Sequence, residues 1–537
     1  MLSSFMLKPL NRILLTFLSV VFLPSVMSAQ GGLRPRGDVN CDWEVTIADV
    51  NALTDSVLSG ARYHSFYSYA ADINGDREIN IADLNMLVDA LLGSELQPVP
   101  TYSGTLPVLF INTEGYCNID SKDEYVAARW WLDAMGTEGY ESIGSAQEPL
   151  GMLVKGHGNY TWKTCDKKSL RLKLDEKHPL LGMHSNRHFC LLAHGDDNLA
   201  RLKNTMGFEL SRRIGLAYTP AQEPVEVVLN GQYIGLYFLT EKIRVDKHRG
   251  NIEKQADGET DAEKITGGWL LEIDNSPKEG EFVYIVEIAR STNPGDSIGI
   301  CVSHHSPEIL SNVQERWLTQ YLEEANAAIY TPDKNSTEWE QYIDIDTLAM
   351  FYIVGEIMDD LEYFAGSCFM YKHHGDNTKL VFGPVWDFGN SFQRWAIYGD
   401  TVFNKFIYQQ PTVFTSHWIE EICKFPRFRS AVRRHWREFY GSGFNGLDLD
   451  RYINDFVDRI RPAFNAEVLR WPQYDIEYQK IDFSLFIHRK IIWLQSQWGR
   501  SSVDPEPQED PQEQDRATTS PNRNGRISTR GSGSHAR

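Results

Sequence analysis

The chain has 537 residues, with 73 acidic against 53 basic side chains, a net charge of −20 and a pI near 5.2. That balance repels phosphate backbones and excludes nucleic acid as a partner. The seven cysteines are scattered, odd in number and without C-x-x-C spacing. They exclude a dense disulfide framework and a zinc ribbon, and leave isolated pairs open in an oxidising compartment.

Lys8 and Arg12 precede an apolar run from Ile13 to Leu23, followed by Pro24 and small residues to Ala29. A basic start, short apolar core and small-residue end predict a secretory signal peptide over 1–29. The run is short for a bilayer, and no later stretch reaches spanning length. The mature chain is therefore expected to be exported, secreted or at the cell surface, with no membrane span.

Two segments then repeat one pattern. Asp38, Asn40, Asp42, Thr46 and Asp49 occupy loop positions 1, 3, 5, 9 and 12, as do Asp72, Asn74, Asp76, Asn80 and Asp83. This is the oxygen-ligand spacing of a calcium loop, in which position 7 (Glu44, Glu78) gives a backbone carbonyl. Position 12 is Asp, not Glu. Position 6, usually Gly, is Trp43 or Arg77, at a cost where positive φ is needed. Val50, Leu53, Val57 and Leu58, then Leu84, Leu87, Val88, Leu91 and Leu92, predict a helix after each loop. One such loop can be a mere acidic N-cap; two alike point to two Ca²⁺ sites. Over about residues 37–95 the repeats resemble the type I dockerin module. The resemblance implies a cohesin-like partner, read by Ile47-Ala48 and Ile81-Ala82 on two near-symmetric, rather apolar faces.

The module is assigned to 33–95 and a Pro-containing linker to 96–106. A body follows over 107–500, and a polar tail over 501–537 is expected to be disordered. In the body, Lys167, Ser169, Arg171 and Lys173 alternate with Leu170, Leu172 and Leu174, predicting a strand with a basic face. Val225–Leu239 predicts a hairpin turning at Asn230-Gly231. Residues 198–214 predict a helix ended by Gly215. Gly268–Asp274 predicts a strand with Glu272 and Asp274 on one face. Strands at the start and helices in the middle indicate an α+β fold.

Six segments of the body resemble the spore coat protein H (CotH) kinase family. They are Gly156-His-Gly-Asn-Tyr-Thr-Trp162 with its basic strand, Phe189–Asn198, Leu202-Lys-Asn204, Leu239-Thr-Glu-Lys242, Gly267–Asp274 and Gly383–Phe392. The resemblance implies an atypical, kinase-like secreted domain that binds ATP with Mg²⁺ or Mn²⁺ and phosphorylates a protein hydroxyl. Phosphoryl transfer needs cations on the phosphates and carboxylates on the metal. Lys173, with Arg171 and Lys168, is the phosphate candidate beside Gly156–Gly158, and Glu241 the partner that orients a cation. Lys203-Asn204 stands where the family usually has Arg-Asn, so a bidentate grip becomes a point charge. Asp387, in Trp386-Asp-Phe-Gly389, and Asp360 are the metal candidates, and Glu362 a candidate base. The family commonly has Asp-Phe-Asp where this chain has Gly389, and Asn and Asp where it has Asp360 and Glu362. Two alternatives stay open: a catalytically inactive scaffold in a surface assembly, and a carbohydrate-active accessory protein of a polysaccharide-degrading complex.

Overall fold

The computed structural model describes residues 33–60, 66–75, 78–96, 99–274, 282–286, 300–392, 404–409, 417–444 and 446–499. The expected signal peptide and tail, and loop residues Asp76 and Arg77, lie outside the described residues.

The N-terminal module contains β1 (Leu33–Arg34), α1 (Ile47–Ser59), α2 (Ser68–Ala71) and α3 (Ile81–Leu91). Helices α1 and α3 both start with a capping box, Thr46 with Asp49 and Asn80 with Asp83. Loop positions 9 and 12 thus satisfy helix N–H groups that would otherwise be orphaned. Leu53 and Leu87 are buried between the two helices with Val39, Phe66, Ala71 and Ile73. The segment read as a linker contains β2 (Val99–Pro100), which pairs with β1. Val99, Thr101, Tyr102 and Ser103 are buried.

The body opens as a closed barrel. Its strands are β3 (Val108–Thr113), β4 (Val126–Asp133), β5 (Leu150–His157), β6 (Ser169–His178), β7 (Asn186–Leu192), β8 (Gln222–Leu229) and β9 (Gln232–Glu241). The order is β3-β4-β5-β6-β7-β9-β8. Neighbours are antiparallel except at the closing pair, where β3 runs parallel to β8. Leu170, Leu172 and Leu174 fill the interior, which sends Arg171 and Lys173 outward, as the alternation requires. A short helix, α4 (Tyr160–Thr164), lies between β5 and β6, and α5 (Ala200–Ile214) between β7 and β8. The β8–β9 turn has Asn230 at φ +53° and Gly231 at φ +72°, as a two-residue hairpin demands.

The second half packs helices on an antiparallel sheet of β10 (Trp269–Asp274), β11 (Val283–Val286), β12 (Ile300–Ser306), β13 (Cys368–Lys372) and β14 (Val381–Phe382). The sheet order is β11-β12-β10-β13-β14. The helices are α6 (Asn312–Ile329), α7 (Ile345–Met358), α8 (His417–Ile422), α9 (Pro426–Gly441), α10 (Gly446–Val468) and α11 (Ile476–Trp498). Helix α7 is apolar on nearly every side, and residues Phe351 to Met358 are all buried, so it is the axis of this half. The α+β class holds; the barrel closure is an addition to the sequence reading. Among the described residues no helix is long and apolar enough to cross a membrane.

The module lies against the barrel. The Tyr67 hydroxyl donates to Pro100 O at 2.7 Å, and Ser68 Oγ to Asn230 O at 2.8 Å. Gly231 approaches Phe66 so closely that a Cβ there would come within 2.1 Å of its carbonyl oxygen. Arg470, just after α10, lies over the ring of Tyr69.

Candidate functional site

In both N-terminal loops the position-12 acid closes the loop on itself. Asp49 Oδ1 accepts from Val39 N at 2.7 Å and Asn40 N at 3.1 Å, and Oδ2 from Thr46 N at 2.8 Å. Asp83 does the same with Ile73, Asn74 and Asn80. Asp38 accepts from the backbone of Asp42 and Trp43. Position 4 takes positive φ in each loop, +71° at Cys41 and +79° at Gly75, and Trp43 at position 6 takes +70°. The cost anticipated for a non-glycine at position 6 is therefore incurred in the first loop. Glu44 and Glu78 are exposed. The donors are all hard oxygens. Burial pushes the Asp38 carboxyl up to about 6, against the pull of Arg34, and burial also raises Asp49. Crowded, desolvated carboxylates of this kind fit a divalent cation such as Ca²⁺.

The second constellation gathers around Asp387, just after β14. Its φ is +56°, a left-handed conformation that is costly for a side chain with a Cβ and clusters at functional sites. Asp387 is open to solvent, with Lys203, Asp196 and Asp360 within electrostatic reach of it. Burial raises its pKa and the Lys203 charge opposes the rise. Helix α5 holds this turn in place. Asn204 Oδ1 accepts from Phe388 N at 3.1 Å, and Lys203 Nζ donates to Gly389 O at 3.2 Å while pairing with Asp197. Phe388 lies flat on Gly207, where a Cβ would come within 2.1 Å of the ring.

Asp360 follows the left-handed C-cap Asp359 of α7, at φ +47°. It is buried, accepting from Glu362 N at 3.0 Å and from Ser391 Oγ at 3.0 Å. Asn390 Nδ2 donates to Glu362. The turn carrying Asp360 and Glu362 is thus laced to the loop carrying Asp387. Burial first, then Asp387 and Glu362, push the Asp360 carboxyl up to about 8. Two acids not singled out as site residues join them. Asp196 is accessible but enclosed, and is raised by burial and by Asp387. Glu272 bonds His305 and is raised by burial, with Asp274 and Asp387 adding. Among the described residues no three acidic, His or Cys side chains converge as a ready metal-ligand set. A Mg²⁺ held by one or two carboxylates plus substrate phosphates needs none.

The barrel's outer face supplies cations. Arg171 sits between Lys155 and Cys190, and Lys173 beside His188. Burial and the surrounding cations hold His157 down to about 4 and His188 to about 3. Burial, then Arg171, lowers Lys242 to about 8, and Arg244 also drops. The Nε atoms of Arg171 and Arg244 are buried without a hydrogen-bond partner. Lys242 ends the Leu239–Lys242 segment and Arg244 follows two residues on; their gathering with Arg171 is tertiary. Such an excess of enclosed positive charge suits an anion.

The other candidates are placed as follows. Lys168 donates to Trp162 O at 2.6 Å and covers that ring, so its cation is turned to α4 rather than to the Arg171 face. Gly156 packs under Trp162, where a Cβ would come within 2.4 Å of the ring. Lys167 leaves the expected basic face for a buried ion pair with Glu467, at 2.6 Å. Glu241 pairs with Arg249 at 3.4 Å rather than with a lysine.

Against family models, residues 154–489 match the CotH kinase protein family. The chain belongs to the CotH kinase protein family. A type I dockerin domain matches residues 36–92, ahead of it. Among curated proteins no match was found. The CotH match begins inside β5, so β3 and β4 complete its barrel from the N-terminal side.

In this CotH domain the charge on Asp360 is poorly solvated. Its carboxyl binds a proton more tightly folded than unfolded, so its contribution to stability falls as pH rises from about 4 to about 8. Asp360→Asn keeps both hydrogen bonds, with Nδ2 donating to Ser391. The variant is expected to melt higher than the unmodified chain at pH 8, with a smaller gain at pH 5. Equal or lower melting at pH 8 would contradict the assignment.

Proposed function

We propose that this CotH protein is an exported protein kinase, transferring the γ-phosphoryl group of ATP to a protein Ser/Thr hydroxyl. Its dockerin module, loaded with Ca²⁺, tethers it to a cohesin-like partner. The supporting observation is one of charge. Enclosed acids around Asp387 share the domain with an enclosed, under-neutralised cation face around Arg171 and Lys242. Glu308 is within electrostatic reach of Lys242, and lies three residues past His305, which bonds Glu272. Acids for a metal and cations for phosphates are the two requirements of phosphoryl transfer.

In this reading Asp387 and Asp360 hold Mg²⁺ or Mn²⁺, which supplies charge neutralisation on the phosphate oxygens. Lys173 and Arg171, with Lys242, counter the phosphate charge. Lys203 and Asn204 hold the Asp387 turn in place. Glu362, oriented by Asn390, takes the proton from the acceptor hydroxyl. The cation oriented by Glu241 is Arg249. Export rests on the signal-peptide pattern of residues 1–29. The exposed Ile47 and Ile81, 67% and 59% accessible, are the positions through which each dockerin face meets its partner.

Incorporation of ³²P from labelled ATP, into the protein itself or a Ser-rich acceptor, tests the reading. Lys173→Met is expected to raise the apparent KM for ATP roughly tenfold, about 1.4 kcal/mol, with a smaller effect on kcat. An unchanged KM would remove Lys173 from the phosphate site. One observation favours a non-catalytic scaffold as the second reading: Lys203 is already neutralised by Asp197. Absence of transfer with either metal and several acceptors would select it.

The calcium reading has its own test. Two acidic loops repel themselves until an ion neutralises them. Excess chelator is expected to lower helix content and the first melting transition, and Ca²⁺ to restore both. Identical melting curves in chelator and Ca²⁺ would contradict two calcium sites.

A further inference from the structure

The two calcium loops match in sequence but not in surroundings. Arg34 stands four residues before the first, in β1, with its side chain wholly buried. Its guanidinium pairs with Asp38, the first ligand position. Nη2 donates to the Tyr102 hydroxyl at 3.0 Å, and Nε reaches Thr101 Oγ1 at 3.5 Å. The guanidinium carbon lies 4.0 Å from the Trp43 ring centroid and 5.2 Å from that of Tyr67. One buried cation therefore joins the first loop, the start of α2 and the segment entering the barrel. That segment continues into the barrel wall, where Ser103 N donates to Glu226 at 2.9 Å. At the matching place of the second repeat stands Ser68, a neutral side chain.

We propose that Arg34 couples calcium in the first loop to the docking of the dockerin module on the barrel. The inference rests on the calcium reading of the loops. Without the ion, the acids of the first loop repel one another and Asp38 leaves its place. The buried guanidinium then loses its one ion-pair partner among the described residues, and an unpaired buried charge is costly. The aromatic groups around it open, and the module leaves the β8–β9 hairpin. By linkage, docking tightens calcium in the first loop by the same factor that calcium tightens docking. The second loop joins the barrel through Ser68 and Phe66 rather than through Arg34, so its coupling to docking does not pass through that cation.

The experiment uses the full chain. Calcium is counted by equilibrium dialysis, and cleavage by proteinase K between module and barrel is timed in Ca²⁺ and in chelator. Two ions per chain are expected, with cleavage roughly tenfold faster in chelator, within the usual range of coupling between sites. Asp42→Asn with Asp49→Asn, which disables the first loop without removing Asp38, the partner of Arg34, is expected to give fast cleavage even in Ca²⁺. Asp72→Asn with Asp83→Asn is expected to give slower cleavage than the first-loop variant, because the ion in the first loop keeps Asp38 on Arg34. Arg34→Met is expected to keep two ions, one bound roughly tenfold more weakly, and to be cleaved fast in both conditions. Two bound ions with a cleavage rate indifferent to calcium would overturn the coupling and leave the calcium reading standing. No bound calcium would overturn both. Equal cleavage of the first-loop and second-loop variants would overturn the role of Arg34, whether or not Arg34→Met folds.

Discussion

Asp387→Asn is expected to abolish phosphoryl transfer, by a thousandfold or more on the scale of about 4 kcal/mol for a removed electrostatic stabiliser. The substitution keeps size and shape and removes the charge that would hold the metal against the phosphates. The fold should tolerate it. The Asp387 side chain is solvent-reached, and its hydrogen bond from Gly389 N can be kept by the amide oxygen. The turn is held independently by Asn204 on Phe388 and Lys203 on Gly389. Melting temperature should therefore stay within about a degree or two, since a surface-like change is usually worth less than ~0.5 kcal/mol. Full activity in Asp387→Asn would refute the metal assignment. Loss of activity with a large drop in melting temperature would make Asp387 structural.

Lys490→Met is expected to be the most destabilising single change near the site. Lys490, on α11, is wholly buried and pairs with Asp359 at 2.8 Å and Glu356 at 3.2 Å. Burial pulls the Lys490 pKa down, but the two carboxylates outweigh it and hold the amine charged. Methionine fills the space and takes the ammonium away from two buried acids, a loss of roughly 3–5 kcal/mol by comparison with other broken buried pairs. Glu356, raised by burial and then without the Lys490 charge, takes up a proton more readily when folded than unfolded. The deficit should accordingly be larger at pH 8 than at pH 5. Because Asp359 is the left-handed residue that turns the chain into Asp360, activity should fall together with stability. Denaturant unfolding at the two pH values measures this, and a loss under about 1 kcal/mol at pH 8 would contradict it.

The parts of the site that were legible from sequence are those written locally. The calcium loops are read from ligand spacing within twelve residues, and the same Thr46, Asp49, Asn80 and Asp83 cap the helices that follow. The alternation from Ser169 to Leu174 told which side chains face outward. Lys167 broke the pattern because β6 begins two residues later, and a buried Glu467, three hundred residues on, claims it. The barrel closure was illegible for a similar reason. It depends on Val108 lying beside Glu226, a contact that no local period encodes. Asp196, Glu272 and Lys242 each looked like an ordinary strand or loop charge until the fold set them near Asp387 or Arg171. The segment around Pro98 and Pro100 has a linker's composition. Its docking depends on Arg34, Tyr67 and Glu226, which come from elsewhere in the chain.

On the proposed reading this CotH domain binds ATP with a divalent metal, its acids around Asp387 meeting the metal and its cations around Arg171 the phosphates. The most direct measurement is the melting temperature of the purified protein, held in saturating Ca²⁺, with ATP and Mg²⁺ or Mn²⁺ supplied singly and together. A ligand that binds only the folded state stabilises it by RT ln(1 + [L]/Kd), about 2.7 kcal/mol at a hundredfold excess over Kd. A clear upward shift is expected with ATP plus metal, little with either alone, and loss of the shift in Asp387→Asn. No shift with ATP under either metal, or a shift with oligosaccharide alone, would contradict that reading.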